Sequence, residues 1–240
     1  LLEETRTWVR REILAMLVRC DLQEGDLTSA GIRFLLLVKS DPATRHFKLI
    51  PLVWSERALK RDLKDAARGW LNGKLEVERL LGASILLADR DYGRRAGIEL
   101  ESLATCTYLN VRMLARAQLW RSKLREGNLS KDDLVRWESR IESLPETLRG
   151  GPYYLLAQGH FQRRETGLAV NAILWLPLVY DHDHFLAAQA CLEAAGALFD
   201  MGRRTEAMTL YREITVRFAD TPSGTIAADF LESVRSFQKN

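Results

Sequence analysis

The run Asp181–His184, with the sequence Asp-His-Asp-His, comes closest to a chemical site in this chain. Carboxylates and imidazoles are good ligands for zinc, nickel or copper ions. Alternate residues on a single turn rarely converge on one ion, and the sequence suggests no distant fourth ligand. We therefore interpret the run as a loop between two hairpins, in which an aspartate caps the next helix. Metal binding is the alternative.

No catalytic signature accompanies that run. The sequence contains no GxSxG, no HExxH and no Walker-type loop. The paired acids Asp132-Asp133 lie near a predicted helix N-terminus, where the helix dipole accounts for them, and Ser130 with Asp133 forms the S-x-x-D capping pattern of that helix. His160 fits a packed position better than a catalytic one. We therefore predict a protein that is not an enzyme and needs no cofactor, with a metal-dependent enzyme on a helical scaffold as a less favoured alternative.

Charge and apolar runs argue against two further classes, strong nucleic-acid binders and membrane-spanning proteins. The formal net charge is +3, from 35 Lys and Arg against 32 Asp and Glu, whereas strong nucleic-acid binders concentrate basic charge further. Basic clusters at Lys60–Arg68 and Arg112–Arg125 favour solvated helix faces, with an acidic partner or nucleic acid as alternatives. The longest apolar runs are too short to span a membrane. We expect a soluble cytoplasmic or periplasmic domain, trimmed or processed before Leu1.

Helical periodicity dominates the chain and predicts an all-α fold. Strand-like alternation is almost absent, although His46–Trp54 could be extended. Gly150-Gly151-Pro152 is predicted to be the strongest break. The predicted helices are Thr5–Cys20, Leu27–Lys39, Glu56–Leu71, Leu75–Ala88, Arg94–Cys106, Leu109–Leu124, Ser130–Ser143, Tyr153–Gln162, Gly167–Tyr180, His184–Met201, Thr205–Phe218, and a last helix from Pro222 with Thr221 as its N-cap.

Two helical hairpins after Gly151 align at an offset of 38 residues. Small residues recur where antiparallel helices must approach closely, and larger ones recur where a groove must be filled. The matched pairs are Tyr153/Cys191, Leu156/Ala194, Ala157/Ala195, His160/Leu198, Ala169/Ala207, Ile173/Tyr211 and Leu176/Ile214.

With Gly202 in the turn and Pro222 after the second helix, this pattern resembles the tetratricopeptide-repeat family, best over residues 152–236. The resemblance implies antiparallel helix-hairpin repeats that form a right-handed superhelix, an α-solenoid. It assigns residues 73–240 to a repeat domain with a C-terminal capping helix. Residues 1–72 would be degenerate repeats or a separate helical cap. A non-repeat helical bundle is the alternative.

The implied function is a protein–protein interaction scaffold that holds a peptide or partner protein in a concave groove. The long period resembles the divergent repeats of bacterial cell-envelope assembly proteins, which suggests one setting for such a scaffold. Exposed positions of the first helices would line the groove. The candidates are Arg112, Arg116, Gln158, Gln162, Gln189 and Glu193.

Overall fold

A computed structural model describes residues 6–55 and 59–237 of the chain. These residues form an all-α protein without a β-sheet, as the sequence predicts, and the helices pack mostly as sequential neighbouring pairs. The chain divides into two compact units, unit 1 (Leu1–Asn128) and unit 2 (Leu129–Asn240). The predicted repeat boundary after residue 72 lies inside unit 1 and stays a prediction.

The α-helices are numbered in chain order. They are α1 Thr7–Glu24, α2 Leu27–Ser40, α3 Arg61–Leu71, α4 Glu76–Leu86, α5 Gly93–Leu103, α6 Leu109–Glu126, α7 Lys131–Glu142, α8 Gly150–Gln162, α9 Thr166–Ile173, α10 Trp175–Val179, α11 His184–Asp200, α12 Arg204–Arg217 and α13 Pro222–Phe237, with short 3-10 helices at Phe47–Leu49 and Glu146–Leu148.

In unit 1, α1 packs against α2, α3 against α4, and α5 between α4 and α6. The segment after the first 3-10 helix is irregular and is tied to the core by buried hydrogen bonds. The Val53 N–H donates to Ser84 Oγ at 2.9 Å, and Gln118 Nε2 donates to the Val53 carbonyl at 3.1 Å. Arg121 donates to Gln118 Oε1 at 2.8 Å and to the Ser84 carbonyl at 2.7 Å. A buried polar network thus holds the irregular segment against α4 and α6.

In unit 2, α8 packs against α7 and α9, and α12 packs against α11 and α13. The small residues predicted at the close-approach positions are fully buried: Ala157, Ala169, Ala195 and Ala207 are each 0% exposed. The larger partners predicted to fill the groove are buried too, and Tyr211 is 7% exposed. Small side chains at these positions let the two helix backbones of a hairpin come close together.

The turns of two unit 2 hairpins have the same backbone hydrogen bonds 38 residues apart. The Glu165 N–H donates to the His160 carbonyl at 2.9 Å, and the Arg203 N–H donates to the Leu198 carbonyl at 2.9 Å. This six-to-one bond is typical of a helix that ends in a left-handed residue. That residue is Gly202 in the second hairpin, with φ 78°.

The turn between α1 and α2 has this geometry as well. It lies within residues 1–72, which the sequence assigns either to degenerate repeats or to a separate helical cap. The Asp26 N–H donates to the Asp21 carbonyl at 2.8 Å, and Gly25 has φ 71°. Ala30 lies four residues after Asp26 and is 0% exposed. In unit 2, Ala169 lies four residues after Glu165 and Ala207 four residues after Arg203, and both are 0% exposed as well. The first hairpin of unit 1 therefore shares the local design of the unit 2 hairpins.

Gly150-Gly151-Pro152 is not a break, and this prediction was wrong. The three residues form the first turn of α8. Proline is tolerated there because the first N–H groups of a helix have no intrahelical acceptor. A Cβ added to Gly150 would lie 3.0 Å from Tyr180 Cβ, so glycine permits a close approach of the chain after α10.

The predicted helix Gly167–Tyr180 is divided into α9 and α10 at Leu174. Pro177 causes the division, because its ring cannot accommodate the carbonyl of the residue four positions earlier. That residue is Ile173, the last of α9.

Helix α3 begins at Arg61, five residues later than predicted. Leu59, which the predicted helix Glu56–Leu71 included, precedes it, and the predicted start at Glu56 lies outside the described residues. Two predicted caps are confirmed. Ser130 Oγ accepts from the Asp133 N–H at 3.1 Å, and Thr221 Oγ1 accepts from the Gly224 N–H at 3.1 Å.

Candidate partner-binding site

Three of the six candidate groove residues meet in one polar cluster on unit 2. Gln158 lies on α8, and Gln189 and Glu193 lie one turn apart on α11. The Gln158 side-chain amide donates to Glu193 Oε2. The Gln189 amide donates to Glu193 Oε1 at 2.9 Å. The cluster therefore joins the first helices of two consecutive hairpins.

Tyr154 completes this cluster, and the sequence analysis did not select it. Its hydroxyl donates to Glu193 Oε1 at 2.8 Å and accepts from Gln189 Nε2 at 2.9 Å. Helical spacing could have indicated it, because Tyr154 lies one turn before Gln158 on the same face of α8. We name Tyr154, Gln158, Gln189 and Glu193 the tyrosine–glutamate cluster.

The carboxylate of Glu193 is half-buried and negatively charged. Neutral donors from the cluster satisfy both of its oxygens, and in the described part of the chain Glu193 forms no ion pair. A carboxylate held this way keeps its orientation, and it can accept a further hydrogen bond from a ligand. The arrangement suits a ligand that supplies N–H donors or a cation.

The other three candidates are placed differently. Gln162 is exposed at the last position of α8. Arg112 and Arg116 belong to unit 1, where they donate to the Cys106 carbonyl at 3.2 Å and to the Ala104 carbonyl at 2.9 Å. Both carbonyls lie just after α5, so these arginines cap the negative end of that helix.

Capping of this kind recurs among the arginines of both units. Arg125 donates to the Leu87 carbonyl after α4 at 3.2 Å, and Arg149 donates to the Leu144 carbonyl after α7 at 2.9 Å. Arg217 donates to the Pro177 carbonyl in α10 at 3.0 Å. The arginines in the predicted Arg112–Arg125 cluster thus donate to carbonyls of this protein, which leaves fewer of their N–H groups for an acidic partner.

The residues of the Asp-His-Asp-His run serve separate purposes. Asp183 caps α11 by accepting from the Leu186 N–H at 3.0 Å, as predicted. His184 contacts Asp220 at 3.0 Å and lies against the ring of Phe218. Asp181 lies 3.6 Å from Arg217. Among the described residues, no group of three or more His, Cys, Asp or Glu side chains is arranged to hold a metal ion.

Histidine–carboxylate pairs occur in both units. His46 contacts Glu12 at 3.1 Å. His160 contacts Glu165 at 2.8 Å in the α8–α9 turn, and this hydrogen bond is the largest cause of the lowered pKa of Glu165. Each pair joins two elements or steadies a turn. We interpret these histidines as structural.

None of the helices in the described ranges is long and apolar enough to cross a membrane. No family model, no curated protein and no solved structure matches this chain.

Proposed function

We propose that this chain is a non-catalytic scaffold of the tetratricopeptide-like class, which holds a peptide or a partner protein against the first helices of consecutive hairpins. The observation that carries the proposal is the tyrosine–glutamate cluster. It lies across α8 and α11, between two hairpins that have the same turn and the same buried alanines. Repetition of such hairpins in a right-handed superhelix would extend this face into a groove.

The cluster offers a partner two kinds of contact. The side-chain amides of Gln158 and Gln189 can pair with the backbone of an extended peptide or with polar side chains, because each amide has both donors and an acceptor. The carboxylate of Glu193 can accept from a lysine, an arginine or an N-terminal amine. We therefore place the partner-binding face in unit 2 rather than at Arg112 and Arg116, whose guanidiniums cap α5.

Affinity capture with quantitative mass spectrometry tests the proposal. The wild-type chain is compared with Glu193→Gln, which removes the charge without changing the shape. We expect at least one protein to be captured by the wild type and reduced about tenfold by this change, since a hydrogen bond to a charged group contributes about 1.5–3 kcal/mol.

Glu232→Gln is the matched control, because Glu232 is an exposed glutamate on α13. Circular dichroism verifies that both variants fold. Equal capture by wild type and Glu193→Gln would contradict the assignment of the face. Capture of no protein by any of the three chains would contradict the scaffold itself.

A further inference from the structure

Helix α1 carries apolar side chains on two opposite faces. One face packs against α2 and the first 3-10 helix. Its buried apolar residues are Leu14, Ala15, Val18 and Leu22. On the other face, Met16 is 63% exposed, Cys20 is exposed, and Val9, Ile13 and Leu17 are half-buried. Because a helix turns about 100° per residue, this second face lies roughly opposite the first.

The open face of α1 has the spacing of a coiled-coil seam. Val9, Ile13, Met16 and Cys20 follow one another at intervals of four, three and four residues. Apolar residues at these intervals are the a and d positions of a heptad, at which two helices pack knobs into holes. We name these four residues the α1 seam. The hairpin with α2 needs only the opposite face of α1, so the seam indicates a second helix that packs from outside.

We propose that the α1 seam binds the same seam of a second copy of this chain, with the two α1 helices antiparallel. In this register Val9 lies opposite Cys20 of the second copy, and Ile13 lies opposite Met16 of the second copy. A two-fold axis between the helices repeats both contacts, so one seam provides four apolar layers. The contact goes beyond the proposed function, because it joins two copies through unit 1 and leaves the tyrosine–glutamate cluster of unit 2 untouched.

Charge complementarity identifies a second copy as the occupant. Glu12 and Arg19 lie one heptad apart on the same flank of the seam, and the antiparallel register sets Glu12 beside Arg19 of the second copy, twice by symmetry. Arg19 is exposed. The side chain of Glu12 is 40% exposed, although it also contacts Arg45 and His46. Each copy thus supplies both charges of the pair, as a self-complementary surface must.

The ends of the seam favour the antiparallel orientation. Arg6 lies one heptad before Ile13, so a parallel pair would place it against Arg6 of the second copy. In the antiparallel pair it lies opposite Gln23, an exposed polar side chain. The N-terminus of each α1 then lies beside the C-terminus of the other, which the helix dipoles favour. A single short helix pair buries less surface than a typical stable interface, so we expect a weak dimer that forms at high concentration.

Sedimentation velocity of the whole chain over a wide concentration range tests the seam. We expect wild-type dimers at the highest concentrations and only monomers of Met16→Glu, because that substitution puts two carboxylates into an apolar contact. Ile98→Glu is the matched control, since Ile98 on α5 is 59% exposed and lies outside the seam. A wild type that is monomeric at every concentration would overturn the proposal, and so would Met16→Glu dimers as strong as those of the wild type.

Two charge reversals test the pairing of Glu12 with Arg19. Arg19→Glu and Glu12→Arg should each weaken the dimer about tenfold, because like charges then meet twice across the two-fold axis. An equimolar mixture of the two variants should recover association, since every such contact in a mixed dimer joins opposite charges. Arg94→Glu, at an exposed position of α5, should leave the dimer unchanged. A mixture that associates no better than its components would contradict the register.

Circular dichroism verifies the folding of Glu12→Arg, which also removes the contacts of Glu12 with Arg45 and His46. If this variant unfolds, Arg19→Glu decides by itself, because Arg19 is exposed and its reversal should still weaken the dimer about tenfold. Arg19→Glu dimers as strong as those of the wild type would then contradict the pairing.

Cross-linking with a short bis-maleimide tests the orientation. In the antiparallel register the two Cys20 thiols are separated by about 16 Å along the helices, whereas Val9→Cys places a thiol beside Cys20 of the second copy. We therefore expect cross-linked dimers of Val9→Cys and few of the wild type. Equal cross-linking of both would indicate parallel helices and overturn the register. Glu193→Gln should leave the dimer intact, so the proposed function can fail without this inference failing.

Discussion

The two units of this protein both bury alanines between their helices and differ in the polar groups that they bury. Ala30 and Ala67 of unit 1 are 0% exposed, as are Ala157 and Ala195 of unit 2. Unit 1 also buries a polar network, in which Ser84 and Gln118 are 0% exposed and Arg121 is 5% exposed. Charge differs as well: unit 1 has 23 basic and 17 acidic residues, whereas unit 2 has 12 and 15.

The difference shows why the repeat is visible in only part of the sequence. A repeated alanine is a local requirement of each hairpin, so it recurs at a fixed offset. A buried hydrogen-bond network does not recur along the sequence, because each donor must match one acceptor at one place. Unit 1 repeats the hairpin turn once, between α1 and α2, and then includes the irregular segment around Val53 that the network holds.

The largest effect is expected where unit 2 depends on small size. Ala195→Leu should lower the free energy of unfolding by about 3 kcal/mol, since additional methylenes in a close-packed site force neighbouring side chains and backbone apart. Urea denaturation measures the loss, and hydrogen exchange shows whether it is concentrated in unit 2. Ala228→Leu, at an exposed position of α13, should change stability by less than about 0.5 kcal/mol. Similar losses for both substitutions would contradict the role given to small size.

A smaller loss is expected in unit 1 from Gln118→Ala, at about 2 kcal/mol. The substitution removes a donor to the Val53 carbonyl and an acceptor for Arg121, and it leaves buried polar groups with fewer partners. Denaturant unfolding measures it, with Asn110→Ala on the same helix as the control. If Gln118→Ala were neutral, the network would not be what holds the irregular segment.

The shared turn of the unit 2 hairpins predicts opposite effects at equivalent positions. Gly202→Ala should cost about 1 kcal/mol, because φ there is 78° and a Cβ disfavours the left-handed region. Arg164 occupies the same place with φ 61°, so Arg164→Gly should stabilise by about 0.5 kcal/mol. Thermal unfolding of both variants checks the prediction. Changes of the same sign would show that the two turns are not equivalent.

The smallest effect concerns acid stability. The hydrogen bond from His184 lowers the pKa of Asp220, so the pair stabilises the fold above the unfolded pKa of an aspartate, about 3.8. The contribution is lost as pH falls through the lower folded value. Asp220→Asn should therefore lower the melting temperature slightly at pH 5 to 6, and the difference from wild type should vanish once the pH has fallen below the lowered folded pKa of Asp220. A constant difference across this range would exclude the pair as its cause.

The sequence by itself determined the features that arise from neighbours along the chain. Ser130 with Asp133 and Thr221 with Gly224 are caps that bond over three residues, so their identity and spacing were sufficient. The buried alanines followed from the offset of 38 residues, because each hairpin needs the same close approach. Pro177 also acts locally, and its effect on Ile173 could have been predicted from the rule for proline within a helix.

Only the tertiary structure decided which distant residues meet. Gly150 begins α8 and lies against Tyr180, a contact between residues that are distant along the chain. Tyr154 joins Glu193 from 39 positions away, and Gln118 reaches Val53 from 65 positions away. Such contacts depend on the relative placement of helices, which small differences in side-chain packing control and which periodicity along one helix does not specify.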